Sequence, residues 1–114
     1  MRPDEARLLD MLIAARKIRR FAEGISFADF ENNEMAQSAV MRELQVIGEA
    51  ARLVADETKQ QTPQIPWRVI AGMRNRLIHE YFAIRPDVVW QTVQDDIPPL
   101  IQQLELLVPP DGED

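Results

Sequence analysis

The sequence predicts an all-α protein, an antiparallel four-helix bundle with a kinked last helix. Apolar residues recur at spacings of three and four along four long stretches, which is the period of a helix with one buried face. No stretch sustains the alternation of a strand, and no glycine-rich phosphate loop follows one. The breaks between stretches are short and rich in polar residues, glycine or proline, so consecutive helices run antiparallel. At 114 residues the chain makes one domain, assigned to residues 1–108, with residues 109–114 as a disordered acidic tail.

Pro3 followed by Asp4 and Glu5 suits a helix start, since proline needs no donor there and acids meet the positive end of the dipole. Leu8, Met11, Leu12, Ala15, Ile18 and Phe21 form its predicted inward stripe, and the helix ends near Gly24. The cluster Arg16, Lys17, Arg19 and Arg20 has two readings. It is an RNA-facing patch, or solvated cations complementing the dipole of the last turns; the second is the ordinary one. Ser26 with Asp29, and Asn32-Asn33, offer two capping signals ahead of the second and longest helix. Its stripe is Ala36, Val40, Leu44, Ile47, Ala51 and Val54, and the small residues around Gly48 let another backbone come close. Glu49 on this helix reads as a solvated or ion-paired carboxylate.

Thr58 to Pro66, polar with two prolines, reads as a connection. A third helix begins at Pro66-Trp67 with Ile70, Met73 and Leu77 inward, and should fray between His79 and Phe82 because Pro86 disfavours helix at Arg85. The fourth starts at Asp87 with Val89, Val93, Ile97, Leu100, Leu104 and Leu107 inward. Pro98 and Pro99 remove donors from it and predict a kink, or a restart capped by Asp96.

Composition narrows the function. There is no Cys and one His, so neither a disulfide framework nor a thiolate site is available and a transition metal would lack ligands; no metal or cofactor is expected. The first helix carries charge throughout, and no segment approaches the roughly eighteen apolar residues of a membrane span. A cytoplasmic, membrane-free protein is the expectation. A net charge of −6 argues against coating nucleic acid by bulk electrostatics, so any anion site is local.

That site is expected between Gly72 and Phe82, which holds the only His (His79), the only Tyr (Tyr81) and the pair Arg74 and Arg76. Arg68, Arg74, Arg76 and Arg85 outnumber Glu80 around it, a local positive field suited to RNA phosphate. Asn75 and His79 share a helix face, but Arg74 and His79 diverge by ~140° at the ideal pitch. For both to reach one phosphate the helix must distort, Arg74 must wrap round, or two copies must pair across a twofold axis. Metal-free RNA cleavage needs a base, an acid and positive charge on the phosphorane, and one chain supplies one histidine. The bland readings are a capping histidine and a core tyrosine with a wet hydroxyl.

Arg74, four residues, His79, one residue, Tyr81, with Asn75 directly after the arginine, resembles the signature of HepT-like proteins of the HEPN superfamily. Ala39-Val40, Leu44 to Ala50, Ile65-Pro66-Trp67, Gly72 to Asn75, Trp90 and Asp96-Ile97-Pro98 resemble family text too, so the likeness spans nearly the whole chain. It implies a HEPN-like fold and a toxin of a toxin–antitoxin module, a metal-independent endoribonuclease whose cleft forms at a homodimer interface. Arg74 and His79 would be catalytic, with Asn75 assisting. The family's antitoxin is a minimal nucleotidyltransferase that AMPylates the motif tyrosine, here Tyr81, and an anionic adduct beside His79 would repel RNA. The alternative is a non-catalytic binding or substrate-recognition subunit of that nucleotidyltransferase.

Overall fold

The computed structural model describes residues 3–108, and among them every regular element is helical. The acidic tail assigned to residues 109–114 lies outside the described residues. Helix α1, Pro3–Ala22, starts with Asp4 and Glu5 in its first turn and buries Leu8, Met11, Leu12, Ala15 and Ile18. Phe21 departs from its predicted inward place, at 39% exposure. Ala22, four residues after Ile18, takes that place, and the chain then reverses at Gly24 with φ 78°.

The two capping signals start two helices rather than one. Ser26 Oγ accepts from the Asp29 N–H (3.1 Å) and Asp29 accepts from the Ser26 N–H (3.2 Å), a closed capping box that begins α2, Phe27–Glu31. Asn33 Oδ1 accepts from the Ala36 N–H (3.0 Å) and begins α3, Glu34–Arg52. Phe30, fully buried, stacks at 5.1 Å on Trp90 and ties α2 to the last helical run.

The predicted connection from Thr58 to Pro66 is partly helical: α4 spans Asp56–Gln61. Its cap comes from elsewhere in the chain, because the Asp4 carboxylate accepts from the Ala55 N–H (3.2 Å) and from the Thr58 hydroxyl. Local sequence carries no sign of a cap supplied from α1. Buried Thr62 accepts from the Trp67 indole N–H (3.1 Å) where α5, Trp67–His79, begins. Helix α5 stops at His79 as expected, followed by a single 3₁₀ turn over Tyr81–Ala83.

The last run is continuous. Helix α6, Pro86–Gln91, passes through a π-turn at Thr92–Asp96 into α7, Ile97–Leu107. Asp96 makes no side-chain cap, contrary to expectation. The Ile97 N–H reaches back to the Thr92 carbonyl instead, and this wider turn sets Pro98 and Pro99 in the first turn of α7. Leu107 is 37% exposed rather than inward, and Ile101 is buried beside Leu100 and Leu104.

The Asp4 contacts put the start of α1 beside the end of α3, so the two are antiparallel. Pairing of Gln45 with Leu77 and of Glu49 with Arg74 runs α5 antiparallel to α3. Helix α1 packs on α3 and α7, and α3 packs on α5. Helices α5 and α7 face each other across an apolar cleft of about 440 Å³, lined among others by Leu44, Ile47, Val69, Met73 and Leu100.

At Gly48, α5 comes close against α3. A Cβ built there would lie 2.5 Å from Arg74 Cβ and 2.9 Å from its Cγ, so the stem of Arg74 rests against the glycine backbone. In Gly48→Ala the overpacking, about 1–3 kcal/mol, should exceed the roughly 1 kcal/mol of helix propensity that alanine contributes. Urea unfolding should show a lower midpoint at unchanged slope.

Candidate active site on helix α5

Helix α5 carries Arg74, Asn75, Arg76 and His79 without a break in its helical geometry. Arg74 and His79 therefore stand ~7.5 Å apart along the axis and ~140° apart around it. The absence of any distortion before His79 removes the first way of bringing them together in one chain.

The setting of Arg74 removes the second. Its stem is pressed on Gly48, and its Nε donates to Glu49 Oε2 at 2.5 Å, which turns the side chain toward α3. Nη1 donates to Asn75 Oδ1 at 3.3 Å. Glu49 is steadied in turn by Arg52, Nε to Oε1 at 3.5 Å. The hydrogen bond from Arg74, supported by the charges of Arg74 and Arg52, holds the Glu49 carboxyl below its usual range against the opposing pull of desolvation. Glu49 thus has the ion-pair role that its place on α3 suggested, and its partner is the motif arginine. A hollow of about 120 Å³ opens beside this pair, lined by Gly48, Lys59, Trp67, Arg74 and Asn75 among others. The Lys59 ammonium sits 5.6 Å over the Trp67 ring. Lys59 was missed by sequence reasoning because it belongs to α4, which no periodicity marked.

His79 occupies the last position of α5, exposed, its side chain making no hydrogen bond or ion pair with any described residue. It is seven residues from Gly72 and three from Arg76, so these three positions and Val69 lie along one stripe of the helix. Val69, Gly72 and Arg76 also line the apolar cleft, with Asp96 opposite on the π-turn. Burial, reinforced by Asp95, pushes the Asp96 carboxyl above its usual range. Tyr81 begins the 3₁₀ turn, half-buried against the core, and its ring meets that of Phe82 edge-on at 5.3 Å. Phe82 itself is 99% exposed.

The remaining arginines do not converge. Arg68, in the first turn of α5, is ~16 Å from His79 along the axis. Arg85 is engaged by its neighbour, Nε to Asp87 Oδ1 at 3.0 Å, and its guanidinium holds the Asp87 carboxyl below the usual range. Of the three candidate phosphate contacts, Arg68 lies within ~20° of His79 around the helix but far from it along the axis, so only Arg76 is near it on that side. Within one chain, then, Arg74 is turned toward α3 and away from the face of His79, while Asn75, four residues before the histidine, lies on the histidine's side of the helix and accepts from Arg74. Among the described residues, no three His, Cys, Asp or Glu side chains are grouped to hold a metal ion, and no helix is long and apolar enough to cross a membrane.

Residues 11–107 match the family described as "Ribonuclease HepT-like". The chain is 36% identical over 103 residues to "Putative RNase MJ1380" of Methanocaldococcus jannaschii, covering 90% of this chain and 94% of that protein. It is 42% identical over 100 residues to "Probable ribonuclease HepT" of Thermococcus cleftensis, covering 88% and 91% of the two chains. No solved structure matches the chain significantly. The helical fold, the arginine–histidine pair on α5 with the tyrosine of the turn after it, and a family match over almost the entire length lead to one conclusion: the chain belongs to the HepT-like ribonuclease family.

Proposed function

We propose that this chain is a metal-independent endoribonuclease, the toxin of a cytoplasmic toxin–antitoxin module, working at a cleft formed between two copies. The observation that carries this reading is the unbroken α5, which keeps Arg74 and His79 on different faces of one chain while presenting His79 to solvent. Across a twofold axis, Arg74 and Asn75 of one protomer meet His79 of the partner subunit. The imidazole of His79 takes the 2′-hydroxyl proton as the freed oxygen attacks phosphorus, and the imidazolium so formed returns a proton to the departing 5′-oxygen. The guanidinium of Arg74 stabilises the charge on the phosphorane.

Gly72 supports the pairing. A Cβ there would meet nothing within 4 Å, so packing inside the chain does not require the glycine, although it weakens the middle of α5. Approach of a second backbone along the stripe of Val69, Gly72 and Arg76 explains it, and the cleft beside it leaves apolar surface to cover.

Tyr81, two residues beyond His79, is the proposed acceptor of AMP from a minimal nucleotidyltransferase antitoxin. Each adduct adds bulk and a negative phosphate where RNA must enter. The alternative, a non-catalytic subunit that binds the nucleotidyltransferase, draws on the same Arg74, whose Nε is already engaged by Glu49.

RNA incubated with the purified chain in EDTA should be cleaved, once intact mass has shown Tyr81 unmodified. His79→Ala and Arg74→Ala should each lower the rate by about 10²–10⁴-fold. Lack of cleavage by the unmodified dimer would favour the binding subunit. Mixing the two inactive variants should restore about a quarter of native activity, since half the dimers are mixed and each holds one complete composite site. Two residues acting within one protomer would give no recovery. Gly72→Ala should raise monomer stability by about 0.5–1 kcal/mol yet shift sedimentation toward monomer.

A further inference from the structure

We infer that a second RNA contact, resting on the ribonuclease reading, lies outside the cleavage site: a groove between the end of α1 and the π-turn that holds the backbone of single-stranded RNA. The groove measures about 590 Å³ and is lined by Arg19, Arg20, Glu23, Trp90, Gln94 and Pro98 among others. The two arginines are exposed, and neither makes an ion pair or side-chain hydrogen bond with a described residue. Arg16 differs, being bonded to Glu105 at 2.9 Å, and Arg74 and Arg85 each have a carboxylate partner. Arg19 and Arg20 are thus unneutralised guanidinium groups facing a cavity in a protein of net charge −6. The dipole of α1 accounts for cations in its last turn, but not for their opening onto a groove.

The opposite wall supplies what a ribose needs. The Gln94 carbonyl has no helical donor: at four and five residues onward stand Pro98 and Pro99, which carry no N–H, and the Ile97 N–H is bonded to Thr92. An open acceptor on a groove-lining residue, beside a carboxamide, suits the 2′-hydroxyl, which donates a hydrogen bond that DNA lacks. Glu23 is the one acid lining the groove, leaving two cations against it.

Topology connects this groove to the catalytic end. Helices α1 and α5 are both antiparallel to α3, so the last turn of α1 and His79 lie at the same end of the bundle. The observations favour RNA over an acidic protein partner because two phosphate-binding groups and a ribose acceptor occur together.

The test uses the full chain carrying His79→Ala, which binds without cutting, and a fluorescent single-stranded RNA with a DNA of matching sequence. Arg19→Ala/Arg20→Ala should weaken RNA binding about tenfold and flatten the salt dependence by roughly 0.7 per lost phosphate contact. Arg19→Lys/Arg20→Lys should retain most of the affinity, with unchanged circular dichroism in both variants. The preference for RNA over DNA should persist in the alanine pair. Unchanged RNA affinity and slope in that pair, while the native chain still cuts RNA, would overturn the groove and leave the ribonuclease reading standing. Absence of RNA binding and cleavage by the native chain would overturn both. Loss of nucleotidyltransferase binding alone in the alanine pair would assign the groove to that partner instead.

Discussion

The contact of Arg74 with Gly48 and Glu49 is the constraint on which the rest of the structure depends. Two helices can approach this closely only where one of them lacks a side chain, and the missing Cβ of Gly48 is filled by the stem of the arginine from α5. Glu49, one residue on, receives the Nε–H and fixes the direction of the guanidinium. A catalytic candidate thereby becomes part of the interface that positions its own helix. Changes to Gly48 act on packing and on the site together, since the same side chain belongs to both.

From that docking follows the division of α5 into two unlike faces. Toward α3 it carries Arg74, supported through Glu49 by Arg52; along the outer stripe it carries Val69, Gly72, Arg76 and His79. Inside a single bundle the outer stripe has no use, and Val69 is left 57% exposed beside an open apolar cleft. The second copy of the proposed dimer would cover this surface and bring a histidine to the arginine.

Electrostatics divide the cations into three kinds. Arg85 is bound to Asp87 and does local work at the entry to α6. Arg74 is held by a carboxylate yet keeps Nη donors, a state suited to precise aim at a phosphate once solvent is excluded. Arg19 and Arg20 have no described partner and line an open groove.

Much of the fold was legible in the sequence. Periodicity marked the four long helical runs, Ser26 and Asn33 announced their own caps, and the end of α5 at His79 followed from the backbone restriction that Pro86 places on Arg85. The family was legible as well, in the spacing from Arg74 to Tyr81 and the text around it. What the tertiary structure alone decided has a shared physical cause, contact between residues far apart in the chain. The cap of α4 comes from Asp4, and Ala22 takes the buried place expected for Phe21 as α1 packs on α3 and α7. The partner of Arg74 is likewise a residue of another helix, which local pattern cannot name. Sequence by itself determined where the helices run and which of their residues are candidates for chemistry; only packing decided which face each one presents, because a helix fixes the angles between its own side chains but not the direction in which it docks.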